Sequence, residues 1–114
     1  MHLHKQIRLP DGRSAIVIMS TAELGGEAGK FIVGRSPGDG GTLVLAFDTE
    51  CAFHKDIGAK YGLVPMGGGW CEIVGQRQVW ISGRSTQFGK EPDRRLTLAL
   101  YREALPGYRV EEED

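Results

Sequence analysis

The sequence predicts an α/β (α+β) domain: a single mixed β-sheet of five to six strands with two helices packed on it. Three observations carry this. Apolar residues alternate or run together in short blocks separated by turn signals. Only two stretches, one around Phe53 and one after Pro92, repeat at helical spacing. Glycine makes up 17 of 114 residues, which favours short strands and turns over long helices.

Leu3, Lys5, Ile7 and Leu9 alternate with His4, Gln6 and Arg8, a strand with one mostly apolar face. Pro10-Asp11-Gly12 is a turn, and the continuous run Ala15–Met19 reads as a central strand covered on both faces, paired to the first as a hairpin. Residues 20–30 read as a loop with one helical turn at Thr21 to Leu24. Phe31-Ile32-Val33 is a short β-like segment, residues 36–41 a loop, and Thr42–Phe47 a buried strand. Phe53, Ile57 and Tyr61 recur every fourth residue and predict a short helix, capped by Asp48 or Thr49, weakened by Gly58 and ended by Gly62. Strands follow over Met66–Val74 and Gln78–Ser82, turning at Gln76-Arg77, with Trp70 and Trp80 as packing residues. Pro92 suits a first helical turn, Leu96, Leu100 and Ala104 form an apolar stripe, and Pro106-Gly107 ends that helix. Tyr108-Arg109-Val110 predicts a last short strand.

The length fits one domain over residues 1–110, with Glu111–Asp114 as a solvated acidic tail. Fourteen basic and fifteen acidic residues give a net charge of −1, so no global field attracts nucleic acid or an anionic membrane. An anion site must be built locally. Cys51 and Cys71 are too few for a disulfide framework and match no zinc spacing, which predicts free thiols and a reducing compartment. The N-terminus has no apolar leader core, and no apolar run reaches the ~20 residues needed to span a bilayer. The expectation is a cytoplasmic monomer without metal or cofactor.

Gly29-Lys30 after Gly25-Gly26 invites a phosphate-loop reading, but the motif needs glycine where Leu24 stands and Ser or Thr where Phe31 stands. Cys51 and His54 lie three apart, and His2, His4 and Cys71 are further ligand types, yet no spacing joins them into a metal set. His54 is the stronger candidate. It lies just off the Phe53/Ile57/Tyr61 stripe and in the first turns of the helix, where unpaired backbone N–H groups and the dipole favour an anion. An imidazole beside an anion can act as nucleophile or general base near neutral pH. The Gly67-Gly68-Gly69 triplet reads equally as a bulge or as backbone that a neighbour or ligand approaches closely. Ser85, in the turn after the Gln78–Ser82 strand, could bind phosphate oxygens together with the amides that follow it. Arg84 could add charge, although strand alternation aims it away from Ser85.

Phe53-His54-Lys55-Asp56-Ile57, Gly67-Gly68-Gly69, Gln78 through Ser85, Phe88-Gly89 and Tyr101 through Val110 together resemble the Janus, or protein phosphohistidine phosphatase, family. The match runs in order over roughly residues 47–110. The resemblance implies a mixed sheet with two helices and a metal-independent hydrolase acting on the P–N bond of phosphohistidine, in a protein or a small phosphoramidate. It implies His54 as the catalytic residue. It also implies Ser85, the backbone around Gln87, and the amides of Phe53 and Lys55 as phosphate-binding groups. The better-known animal members carry an arginine where Ala46 stands and a lysine on the strand after the first hairpin turn, where this chain offers Arg13 or Ser14. Arg13, Arg35, Lys55 or Arg84 would have to supply the charge. The alternative expectation is a non-catalytic phosphate-binding or phospho-ligand module on the same fold.

Overall fold

The computed structural model describes residues 1–22 and 27–113. Seven strands and two α-helices follow one another along the chain. They are β1 (His2–Arg8), β2 (Ser14–Ser20), β3 (Ala28–Ser36), β4 (Thr42–Asp48), α1 (His54–Tyr61), β5 (Val64–Val74), β6 (Gln78–Ser82), α2 (Arg94–Ala104) and β7 (Arg109–Glu112), with a 3-10 turn at Pro37–Asp39. All seven strands form one sheet in the order β1-β2-β4-β3-β5-β6-β7. The pairs β2/β4 and β6/β7 are parallel, and the others are antiparallel.

The mixed α+β architecture is the expected one, but the sheet has seven strands, not five to six. Both weakly signalled segments are strands. Only three β-formers mark β3 in sequence, yet it pairs along its length with β4 and β5. Pairing with β5 at Ala28-Gly29, and with both neighbours at Gly34, overrides the poor propensity of these residues. At the C-terminus, Glu111 and Glu112 are not a solvated tail: they pair in register with Trp80 and Ile81, and Glu112 meets Lys90 at 3.0 Å and Arg94 at 3.6 Å. Asp114 lies outside the described residues. Of the expected helical turn at 21–24, Thr21 and Ala22 are not helical, and Glu23 and Leu24 lie outside the described residues.

Strand alternation splits the core into two layers. Phe31, Val33, Leu45, Phe47 and Val17 face α2 and pack with its Leu100 and Tyr101. Ile32, Val44 and Ala46 face the other way and pack with Ile57 of α1. The helices therefore lie on opposite faces of the sheet. The run Ala15–Met19 is covered on one face only: Ala15, Val17 and Met19 are buried, whereas Ile16 and Ile18 are half-buried. The short α1 packs on β3, β4 and β5 and leaves the other strands on its face without a helix.

α1 begins at His54, and its N-cap is Phe53 in place of the expected Asp48 or Thr49. Asp56 reaches back to accept the Phe53 N–H at 3.1 Å. Asp48 instead closes the β4–α1 connection, accepting from Lys60 Nζ at 2.7 Å, Tyr61 OH at 2.6 Å and the Glu50 N–H at 2.9 Å. Gly62 caps the C-terminus as expected. α2 is capped by Asp93, whose carboxylate accepts from the Leu96 N–H, so Pro92 lies just outside the helix. Cys51 and Cys71 are both free, and burial pushes the Cys71 thiol up to about 12, which keeps it protonated.

Candidate functional site

The β4–α1 connection delivers His54 as the first helical residue, and its ring lies against β5. A Cβ at Gly68 would overlap the Phe31 carbonyl oxygen and stand 3.0 Å from His54 Cδ2. The glycine triplet is thus explained by close approach: a side chain at Gly68 would push the ring off the sheet. His54 Nε2 lies 2.9 Å from the Gly69 carbonyl oxygen. A carbonyl only accepts, so Nε2 carries the hydrogen, and Nδ1 of the neutral ring is the basic nitrogen. Among the described residues Nδ1 has no hydrogen-bond partner. Burial lowers the His54 pKa from its usual 6.5; the Gly69 hydrogen bond opposes this and the charge of Lys30 adds to it, with a net lowering. The ring is neutral at pH 7.

A cavity of about 230 Å³ opens beside His54. Phe53 and Gly69 line it near the ring, Lys30 and Trp70 line the sheet side, and Gly83, Arg84, Thr86 and Gln87 line the turn after β6. Among the described residues no carboxylate lines it. The first N–H groups of α1 add to the positive field: Asp56 takes that of Phe53, and those of His54 and Lys55 have no partner among the described residues.

Several expectations change at this level. Phe53 does not belong to the packed stripe. As the extended N-cap it is 59% exposed, and His54, expected at the edge, is the buried residue. Lys55 is exposed, with Nζ 5.7 Å from the Phe53 ring centroid, and does not line the cavity; only its backbone amide faces the helix end. Arg84 does line the cavity, because Gly83 adopts a φ of +67° and breaks the strand alternation that would aim Arg84 away. Ser85 differs most. It is 1% exposed and absent from the lining, and its Oγ accepts the N–H groups of Gln87 at 3.3 Å and Phe88 at 3.1 Å. Its N–H and carbonyl bridge to Gly89, and its N–H also reaches the Gly68 carbonyl at 3.1 Å. Ser85 shapes the turn that carries Arg84 and Gln87. The Gln87 amide, expected in the cradle, is engaged with Ser85 here.

Lys30 is the site residue that sequence reasoning missed. In sequence it reads only as the lysine of a failed phosphate loop. Its register, opposite Trp70 on β5 and two residues before Ile32, sets it on the α1 face, with Nζ 5.6 Å from the Trp70 ring centroid. Strand parity counted from Ile32 would have found it. Of the four cations named as replacements for the missing pair, Arg84 reaches this cavity, whereas Arg13 and Arg35 line separate clefts. Trp70 and Trp80 are not buried packing residues: Trp70 is 39% exposed and Trp80 partly exposed.

Among the described residues, no group of three or more His, Cys, Asp or Glu side chains converges to hold a metal. No described helix is long and apolar enough to cross a membrane. Comparison with family models and with curated proteins finds no match.

Proposed function

We propose that this protein is a metal-independent phosphoramidate hydrolase that removes the phosphoryl group from phosphohistidine, with His54 as nucleophile or general base. The observation that carries this is the neutral, buried imidazole, fixed through Nε2–H on Gly69, with an Nδ1 that has no partner among the described residues and faces a cavity whose described lining is basic and free of carboxylates. The ordered resemblance to phosphohistidine phosphatases supports the same reading. Lys30, Arg84 and the α1 amides would hold the phosphoryl oxygens and stabilise charge spread over them in the transition state. If Nδ1 attacks phosphorus, a new P–N bond forms as the bond to the substrate imidazole breaks, and water then releases phosphate from His54. If Nδ1 takes a proton from water, the water oxygen bonds to phosphorus directly. Either way the leaving imidazole nitrogen gains a proton and one P–N bond is hydrolysed.

His54→Ala is expected to abolish phosphate release from a phosphohistidine peptide while the circular dichroism of the fold is retained. Turnover by the folded variant would remove His54 from the reaction. The second reading, a phosphate-binding module without turnover, is favoured by the engaged Ser85 hydroxyl and by apolar Ala46. It predicts phosphate-induced NMR shifts at His54 and Lys30 with no hydrolysis by the wild-type protein.

A further inference from the structure

Two further clefts adjoin on the face of the sheet that carries α2, opposite His54. Arg13, Arg35 and Leu43 line both. Register pairs Arg35 with Leu43, and strand alternation sets Arg35 on the same side as buried Val33. The larger cleft, about 270 Å³, runs between the first hairpin turn and the β3–β4 connection. The smaller, about 170 Å³, continues to the start of α2. Neither alone reaches the ~300 Å³ at which small-molecule pockets begin, whereas the two together pass it.

The chemistry of the two ends differs. The end near α2 is apolar, with buried Val33 and Leu43 and partly buried Met66 and Leu96 along it. Glu91 also borders this end, but its charge is already matched: the carboxylate accepts from Arg94 Nε and Nη2 and from Thr97 Oγ1. Where the clefts meet, two guanidinium groups stand at the surface. Arg13 donates through Nε to Asp11 at 2.6 Å, and its Nη groups have no partner among the described residues. Arg35 is exposed; Nη1 donates to the Gly41 carbonyl at 2.9 Å, and no described carboxylate pairs with it. Two anchored forks with donors left over suit an oxyanion. Asp93 lines the same space, with one carboxylate oxygen on the Leu96 N–H. Its negative charge works against a dianionic phosphate and favours a singly charged head.

We propose that the adjoining clefts form one binding site for a small monocarboxylate with an apolar body. Arg13 and Arg35 hold the carboxylate, and the body lies among Val33, Leu43, Met66 and Leu96. At ~30 Å³ for each water-sized unit, the apolar end takes a body of roughly six carbons. The site shares no lining residue with the cavity beside His54, so it stands or falls apart from the phosphoryl reading.

The test is an NMR titration of the full chain with hexanoate, with hexanol as the neutral analogue and acetate as the head without the body. Hexanoate is expected to give saturable methyl shifts at Val33, Leu43, Met66 and Leu96, with a Kd of ~1 mM for a ligand of this size. Hexanol and acetate should each bind about tenfold more weakly, because each lacks one half of the match. In Arg35→Met, which keeps the apolar stem and removes the charge, hexanoate should fall about tenfold, to the level of hexanol, while hexanol is unchanged. Hexanol binding as tightly as hexanoate overturns the proposal, and so does unchanged hexanoate binding in Arg35→Met. Saturable shifts confined to His54 and Lys30, or no saturable shift at all, overturn it as well. Displacement of hexanoate by an equal concentration of inorganic phosphate would make the cleft a general anion site and reject the monocarboxylate. If Arg35→Met does not fold, the ratio of hexanoate to hexanol affinity in the wild type decides.

Discussion

His54 and Lys30 illustrate how much chemistry two side chains carry once the strands fix their positions. In the proposed reaction the ring acts while neutral, and two causes lower its pKa, burial and the ammonium of Lys30. The kinetic sign follows. The proposed reaction requires the unprotonated ring, so kcat/KM should be lost as pH falls through the folded pKa, and the acid limb should lie below the usual 6.5. The stability sign follows too. The unfolded chain binds the proton more readily than the folded one, so stability is lost as pH drops from about 6.5 toward the lowered folded value. Lys30→Met separates charge from shape. It should weaken inorganic phosphate binding and move the acid limb of kcat/KM upward, because the cation that disfavours imidazolium is gone. Phosphate titration by NMR and a pH–rate profile check both outcomes. A profile that stays fixed would mean that Lys30 does not reach His54 through its field.

At the scale of elements, the turn after β6 shows where sequence reading succeeds and where it stops. The Gly-Arg-Ser stretch was legible as a turn at the end of a strand. What was not legible was the division of labour within it, which depends on backbone geometry. Gly83 at positive φ swings Arg84 to the cavity, and the Ser85 hydroxyl turns inward to collect two amides. The α1 stripe holds at Ile57 and Tyr61 but not at Phe53, for a related reason: Phe53 keeps the spacing of a helical residue but lies one position outside the helix. Ser85→Ala tests the assigned role. Two amides of a partly buried turn would lose their acceptor, at a cost of about 1–3 kcal/mol. Urea denaturation should show that loss together with weaker phosphate binding, since Arg84 and Gln87 are no longer held. A phosphate contact made by the hydroxyl itself would instead weaken binding while leaving stability unchanged.

Across the whole molecule, the site is built from parts distant in sequence: the start of β3, the start of α1, the middle of β5 and the turn after β6. The last three were legible, because each is announced by a local signal of histidine, glycine or turn residues. The β3 contribution was not, since pairing on both edges, and not local propensity, makes that segment a strand. The network that ties the turn to α2 was equally silent in sequence. Glu91 and Arg94 are both buried; the carboxylate accepts from Arg94 Nε at 2.7 Å, from Nη2 at 2.9 Å and from Thr97 Oγ1 at 2.5 Å. Arg94 Nη2 also donates to the Gly83 carbonyl at 2.8 Å, which pins the hinge of the turn from the opposite face of the sheet. Removing one member leaves a buried charge without its partner. Glu91→Gln should therefore destabilise the fold by about 3–5 kcal/mol, with Glu112, 3.6 Å from Arg94, compensating only in part. Glu91→Leu combined with Arg94→Met removes both charges, and should recover most of that stability, because a buried pair contributes little net free energy over apolar residues. The double variant still lacks the donor to Gly83. If that contact holds the turn, stability returns in urea denaturation while phosphate binding stays weak. Recovery of both together would show that Arg94 supports the fold and not the cavity.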